Sequence, residues 1–183
     1  KNHIAMKYYL IAGESSGDLH GANLMKGLLK ADPQARFRFW GGDKMAAVGG
    51  AENLAMHYKK ASFMGFVEIA KNLRTILGQI AACKEDVAAY RPDVLILIDY
   101  YIAPKAGARN ESRVEKIRKY VDRLFVIFPF ATAWFRRHGI EAIYEGNPLM
   151  DAIAERRQNL QPYARFIEEN GLDDRPIVAL LAG

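Results

Sequence analysis

The feature that most constrains the fold is an apolar run, Tyr8-Tyr9-Leu10-Ile11-Ala12, that stops at Gly13 and leads into Glu14-Ser15-Ser16-Gly17-Asp18. A continuous apolar run of strand length suits a strand covered on both faces, as in a parallel sheet flanked by helices. From Leu19 to Leu29 the spacing turns helical, with Leu19, Ala22, Met25, Leu28 and Leu29 on related faces. Strand, small-residue loop and helix together form the opening unit of a parallel α/β domain, and such domains hold ligands beyond the carboxyl ends of their strands.

The rest of the chain repeats the alternation. Phe37–Gly41 reads as a second strand, and Asp43–Gly50 as a short helix closed by Gly49-Gly50. Phe63–Tyr90 is the longest helical pattern, and Arg91-Pro92-Asp93 ends it. Val94-Leu95-Ile96-Leu97-Ile98 is the clearest buried strand, and it ends at Asp99. Glu111–Val121 is helical with a basic face, Leu124–Phe128 is a buried strand, and Thr132–His138 is a short helix stopped by Gly139. Ala142–Tyr144 is a short strand, Asn147-Pro148 opens a helix, Pro162–Asn170 is a helix ended by Gly171, and Pro176–Leu181 is a last strand. Strands alternating with helices predict a doubly wound, Rossmann-like parallel sheet.

One juxtaposition breaks this pattern. Asp99-Tyr100 runs straight into Tyr101-Ile102-Ala103-Pro104, which also reads as a strand end. Parallel neighbours need a crossover of about a dozen residues or more. The sequence therefore predicts that a segment is absent between Tyr100 and Tyr101.

Three polar groups fall where the fold would bind a ligand. The Gly13–Asp18 loop matches neither a triphosphate nor a dinucleotide fingerprint. The residues leave open a ligand-holding loop and a turn in which Ser15, Ser16 or Asp18 caps the helix. Asp99, just past an apolar strand, is costly there unless solvated, paired or used, and it suits a general base or a loop cap. Gly146-Asn147-Pro148 by itself reads as a helix start. His20, His57 and His138 lack ligand spacing, so neither a metal site nor a Ser-His-Asp centre is expected.

Charge narrows the partners. The formal charge is +5 and the pI about 9.3, which favours anionic partners. The basic cluster Arg109, Arg113, Lys116, Arg118, Lys119 and Arg123 suits a solvated face, phosphate or anionic headgroups. No nucleic-acid motif accompanies it. Phe63-Met64-Gly65-Phe66-Val67 packs large apolar residues around a glycine, with Glu68 following, Ile69 continuing the stripe and Lys59, Lys60, Lys71, Arg74 and Lys84 around it. Residues 73–80 suit an ordinary core-facing helix, whereas 63–67 suit a helix that dips into a membrane surface. No apolar run approaches the length of a membrane span. The single cysteine, Cys83, makes an internal disulfide impossible.

Taken in order, Gly13-Glu14-Ser15-Ser16-Gly17-Asp18, Phe63-Met64-Gly65-Phe66-Val67-Glu68, Pro92–Asp99, and Arg113-Val114 with Lys116-Ile117 resemble the lipid-A-disaccharide synthase family, from about Met6 to Gly183. The resemblance implies the N-terminal domain of a GT-B glycosyltransferase. Such an enzyme joins UDP-2,3-diacylglucosamine to 2,3-diacylglucosamine 1-phosphate, releases UDP, needs no metal or other cofactor, and works in the cytoplasm on the inner membrane surface of Gram-negative bacteria. It implies Asp99 as the catalytic base. It also implies Glu14, Ser15, Ser16, Gly17, Asp18, Gly65, Glu68 and Asn147 as substrate contacts, and Phe63, Met64, Phe66, Val67 and Ile69 as membrane or acyl-chain contacts.

Three stretches depart from the family pattern, the last being Leu180-Leu181-Ala182-Gly183, which stands where a Leu-Leu-Pro-Gly run is usual. Gly107-Ala108-Arg109 stands where Trp-Ala-Trp is usual, and Gly146-Asn147-Pro148 where Gly-His-Pro is usual. The expected organisation is an appended remnant at 1–5, an acceptor-binding domain at 6–175, and the first strand of a nucleotide-sugar domain at 176–183. The alternatives are a GT-B enzyme with a soluble acceptor and a non-catalytic membrane-docking module. The sequence leaves oligomeric state open, a homo-oligomer included.

Overall fold

The computed structural model describes residues 5–61, 73–98, 111–158, 160–173 and 175–179. The chain divides into two compact units, Lys1–Lys105 and Ala106–Gly183, so the expected domain at 6–175 takes in parts of both.

The first unit is an α/β layer structure. Its strands are β1 (Lys7–Ala12), β2 (Arg36–Gly41), β3 (Leu54–His57) and β4 (Val94–Ile98), in the order β3-β2-β1-β4. All three pairings are parallel. Helix α1 (Ser15–Ala31) connects β1 to β2, and α2 (Asp43–Gly49) with a 3-10 turn (Ala51–Asn53) connects β2 to β3. A short turn, α3 (Tyr58–Ala61), follows β3, and α4 (Leu73–Tyr90) leads into β4. β3 was not expected: four residues, Leu54-Ala55-Met56-His57, are too few to show a period.

The register decides which side chains share a face. Leu10 of β1 lies beside Phe39 of β2 and Ile96 of β4, and Tyr8 beside Phe37 and Val94. Leu10, Ala12, Phe37 and Phe39 join Ala22, Met25 and Met45 in one buried cluster between this face and helices α1 and α2. Met45 fills a notch cut by two glycines: a Cβ at Gly21 or Gly41 would lie 2.5 Å from its Sδ. Gly21 costs helix stability of about 1 kcal/mol relative to alanine, and this close approach offsets it.

The opposite face is tied by polar groups. Tyr9 and Arg38 are register partners, and both reach Asp86 on α4. The Tyr9 hydroxyl donates to Asp86 Oδ2 at 2.6 Å, and Arg38 Nε donates to the same carboxylate at 2.7 and 2.8 Å. Burial, then the bond to Asp86, pushes the Tyr9 phenol well above its usual range. The hydrogen bonds from Arg38 hold the Asp86 carboxyl below the usual carboxylate range. This face is only partly covered: Leu95 and Leu97 are 48 % and 46 % exposed. The expectation of a strand buried on both faces therefore fails at β4.

In the second unit, α5 (Glu111–Tyr120) precedes a two-stranded parallel sheet of β5 (Leu124–Phe125) and β6 (Ala142–Ile143), connected by α6 (Pro129–Arg137). α7 (Pro148–Gln158) and α8 (Tyr163–Glu169) follow. Leu124, Ala131, Phe135 and Ile140 are buried here, as are Val114 and Ile117 on α5. The predicted buried strand at 124–128 is shorter than expected and half open. Only Leu124–Phe125 are strand, and Phe125, Ile127 and Phe128 are exposed. The last predicted strand is absent among the described residues: 175–179 form no strand, and Val178 is 92 % exposed. No helix among the described residues is long and apolar enough to cross a membrane.

Candidate functional site

The carboxyl ends of β1, β2 and β3 bring together three short connections: Gly13-Glu14, Gly42, and His57-Tyr58. The first differs from its sequence reading. Helix α1 begins at Ser15, so the loop is Gly13-Glu14, and Ser15 to Asp18 are the first turn of the helix. Glu14 is the N-cap residue, and its side chain makes no capping bond to α1. It instead accepts from the Ser16 hydroxyl at 2.5 Å. Glu14, Ser15 and Ser16 are exposed at the crest, and Gly17 is buried beneath them.

Asp18 does something neither sequence reading contained. It is 3 % exposed and turns away from the crest. Its Oδ1 accepts the Gly42 N–H at 2.7 Å and the Met45 N–H at 3.0 Å, and its Oδ2 accepts the Lys44 N–H at 3.1 Å. The first turn of a helix leaves its amides without backbone partners. Asp18, on α1, supplies them for α2, and so locks the β1 and β2 connections to each other. Its carboxylate oxygens are engaged in the scaffold, and it acts as a positioning residue for the loop above it.

Next to this clamp lies a group that sequence reasoning missed. His57 ends β3. Its Nδ1 accepts the Lys59 N–H at 3.2 Å, so Nε2 carries the ring hydrogen and faces Asp43 Oδ1 at 3.5 Å. The Tyr58 ring lies 4.8 Å from the imidazole, centre to centre. A Cβ at Gly42 would run into Tyr58 Cε1 and lie 2.8 Å from Asp18 Oδ2, so only glycine fits between these elements. With β3 unrecognised, nothing in the sequence placed His57 at the crest.

Asn147 belongs to the second unit. Its side-chain oxygen accepts the Leu149 N–H at 3.0 Å, which caps α7, as the helix-start reading expected. Asp99, Gly65, Glu68, Phe63, Met64, Phe66, Val67 and Ile69 lie outside the described residues.

Residues 8–100 and 100–183 match the family model described as LpxB, lipid-A-disaccharide synthetase. The chain belongs to the lipid-A-disaccharide synthase family. A lipid-A-disaccharide synthase of Geobacter metallireducens is 33 % identical over 195 positions, covering 95 % of this chain and 49 % of the relative. One from Koribacter versatilis is 30 % identical over 200 positions, 97 % and 51 % covered. One from Pseudomonas putida is 34 % identical over 196 positions, 95 % and 50 % covered. The chain spans about half the length of these relatives. The four-stranded parallel sheet is that of a Rossmann-like, N-terminal GT-B domain.

Proposed function

We propose that this chain is the acceptor-side half of a glycosyltransferase that joins UDP-2,3-diacylglucosamine to 2,3-diacylglucosamine 1-phosphate in lipid A biosynthesis. The observation that carries this reading is the crest itself. A parallel sheet of the family's fold presents exposed Glu14, Ser15 and Ser16 at the carboxyl end of β1, held in place from below by buried Asp18. In this reading Glu14 and the two serines contact the sugar hydroxyls of the acceptor, since carboxylate and hydroxyl oxygens accept from them. Asp99, the residue after β4, is the base that takes the proton of the attacking 6-hydroxyl. As that oxygen attacks the anomeric carbon, the bond to UDP breaks, and the negative charge on the leaving group is balanced by groups of the nucleotide-sugar half. Gly65 and Glu68 are proposed as further substrate contacts of the first unit, and Asn147 as a substrate contact of the second.

The apolar stretch Phe63–Val67 with Ile69, flanked by lysines, is proposed to hold the acyl chains of the substrates at an anionic membrane surface. The enzyme would then work as a peripheral protein of the inner membrane, facing the cytoplasm.

The test is a chimera in which residues 8–183 replace the matching half of the Geobacter metallireducens relative, assayed for UDP release and disaccharide 1-phosphate formation. Acceptor-dependent transfer that falls at least a hundredfold with Asp99→Ala is expected, within the range that general-base catalysis contributes. Turnover within a few-fold of the parent chimera after that substitution would remove Asp99 as the base. Transfer to an unacylated glucosamine phosphate at an equal rate would replace the lipid acceptor with a soluble one.

A further inference from the structure

The sheet sets four strand positions in one row. Ile98 of β4 pairs with Ala12 of β1. Ile11 pairs with Trp40, which puts Ala12 level with Gly41. Gly41 pairs with His57 of β3. The last pairing depends on a bulge: Leu54 pairs with Phe39 and Met56 with Trp40, so Ala55 is extra. Without that extra residue His57 would lie one position beyond the row. Bulges are rare between parallel strands, and they re-aim side chains next to active sites. Three strand spacings of about 4.8 Å put the two ends of the row about 14 Å apart. Asp99 follows Ile98 in sequence.

At its end of the row His57 presents a donor that the fold does not use. Its tautomer puts the ring hydrogen on Nε2. Asp43 Oδ1, at 3.5 Å, lies beyond the normal hydrogen-bond range of about 2.7–3.2 Å. The Asp43 side chain is 85 % exposed, and among the described residues its carboxylate has no other partner. The His57 side chain is 18 % exposed and is fixed by the Lys59 amide. The surroundings are cationic. Lys44 on α2 and Lys59 and Lys60 on α3 are exposed, and none has a carboxylate partner among the described residues. The first-turn amides of α2 are taken by Asp18, so side chains are what remains to bind an anion.

We infer that His57, with Lys59 and Lys60, binds the phosphate of the acceptor, Nε2–H donating to a phosphate oxygen. This rests on the acceptor reading proposed above. In that reading the 6-hydroxyl meets Asp99 beyond the β4 end of the row, and Glu14 and Ser16 hold the sugar in the middle, beyond β1. The Glu14 carboxylate bars an anion from the middle by like charge, which leaves the phosphate to the β3 end. A hexose 1-phosphate, measured from its 6-oxygen to its phosphate with one hydrogen bond of about 2.8 Å at each end, spans about the 14 Å of the row. Asp43 swings aside, since its one described contact is the one that the phosphate replaces.

The probe is glucosamine 1-phosphate added to the 183-residue chain, with glucosamine and inorganic phosphate as controls. NMR follows the His57 ring and the backbone amides of Glu14, Ser16 and Lys59. Glucosamine 1-phosphate should shift all of them saturably, and glucosamine should shift Glu14 and Ser16 alone. His57→Ala should weaken glucosamine 1-phosphate at least about tenfold, the worth of one hydrogen bond to a charged group, and leave glucosamine unchanged. Lys59→Ala with Lys60→Ala, both exposed, should weaken it without touching the core. Asp43→Asn should tighten it about fivefold, the effect of removing one like charge at about 4 Å in water. Shifts at Glu14 and Ser16 with the His57 ring unmoved would overturn the inference and leave the acceptor reading standing. No shift at Glu14 or Ser16 either would remove both together. Inorganic phosphate that binds at His57 as tightly as glucosamine 1-phosphate would also overturn it, by making the site a general anion patch. So would weaker binding after Asp43→Asn, which would make Asp43 a sugar contact.

Discussion

The Asp18 carboxylate accepts the Gly42 amide at 2.7 Å across 24 positions of sequence, and this one bond joins the connection after β1 to the connection after β2. Two further amides, of Lys44 and Met45, converge on the same carboxylate. The crest is thus built on a buried anion that neutralises the first turn of α2, and the exposed side chains above it inherit their positions from that clamp.

Asp18→Asn keeps the shape but puts an amide donor against one of three converging N–H groups. The expected loss is about 1–3 kcal/mol of unfolding free energy in urea. Amide exchange at Gly42, Lys44 and Met45 should quicken together. Unchanged stability would mean that the three amides find other acceptors at no cost.

Gly42→Ala should destabilise by a similar amount, about 1–3 kcal/mol, for a steric reason. The new methyl must displace the Tyr58 ring or the Asp18 carboxylate. Pairing it with Tyr58→Ala should recover part of the loss, and thermal unfolding of the single and double variants measures the recovery.

Asp86 gives the first unit an acid dependence. Its folded pKa lies below the unfolded value of about 3.9, so its contribution is complete well above that value and is lost as pH falls through the folded pKa. Asp86→Asn is expected to lose about 1–3 kcal/mol at pH 7, and the gap to the parent should narrow as pH falls below the unfolded value and through the lower folded one. Urea unfolding at three pH values reads both effects.

Tyr9 works in the opposite direction. Its folded pKa is raised, so its contribution is intact below the unfolded value of about 10 and is lost as pH rises above it. Tyr9→Phe should therefore be less stable than the parent at pH 7. Above about pH 10 it should lose less stability than the parent, which alkaline unfolding curves would show.

The membrane reading predicts that the chain sediments with anionic vesicles at low salt and is released as salt screens its +5 charge. Phe66→Asp should abolish sedimentation while leaving unfolding in urea unchanged, since the proposal gives Phe66 a surface role.

How much was legible beforehand varied along the chain. Tyr8–Ala12, Val94–Ile98, the helix from Leu19 to Leu29 and the Gly49-Gly50 stop stand out because each follows from local composition or period. Leu54–His57 does not, because four residues, paired with β2 alone among the described residues, carry no periodic signal of their own. The Leu124–Phe128 run looks like a core strand by composition, yet Phe125 is 64 % exposed, because burial depends on what packs against a run and not on the run itself.

The candidate site divides along the same line. The sequence alone determined that a parallel α/β unit opens with β1, that small and polar residues follow it, and which family pattern the chain carries, because these are properties of consecutive residues. Only the tertiary structure decided that Asp18 accepts the first amides of α2, that His57 stands at the crest beside Asp43, and that Tyr9, Arg38 and Asp86 share one polar knot. Each of those pairings spans between 14 and 77 positions. The packing of helices on a parallel sheet brings such distant residues within reach, and no local pattern encodes it.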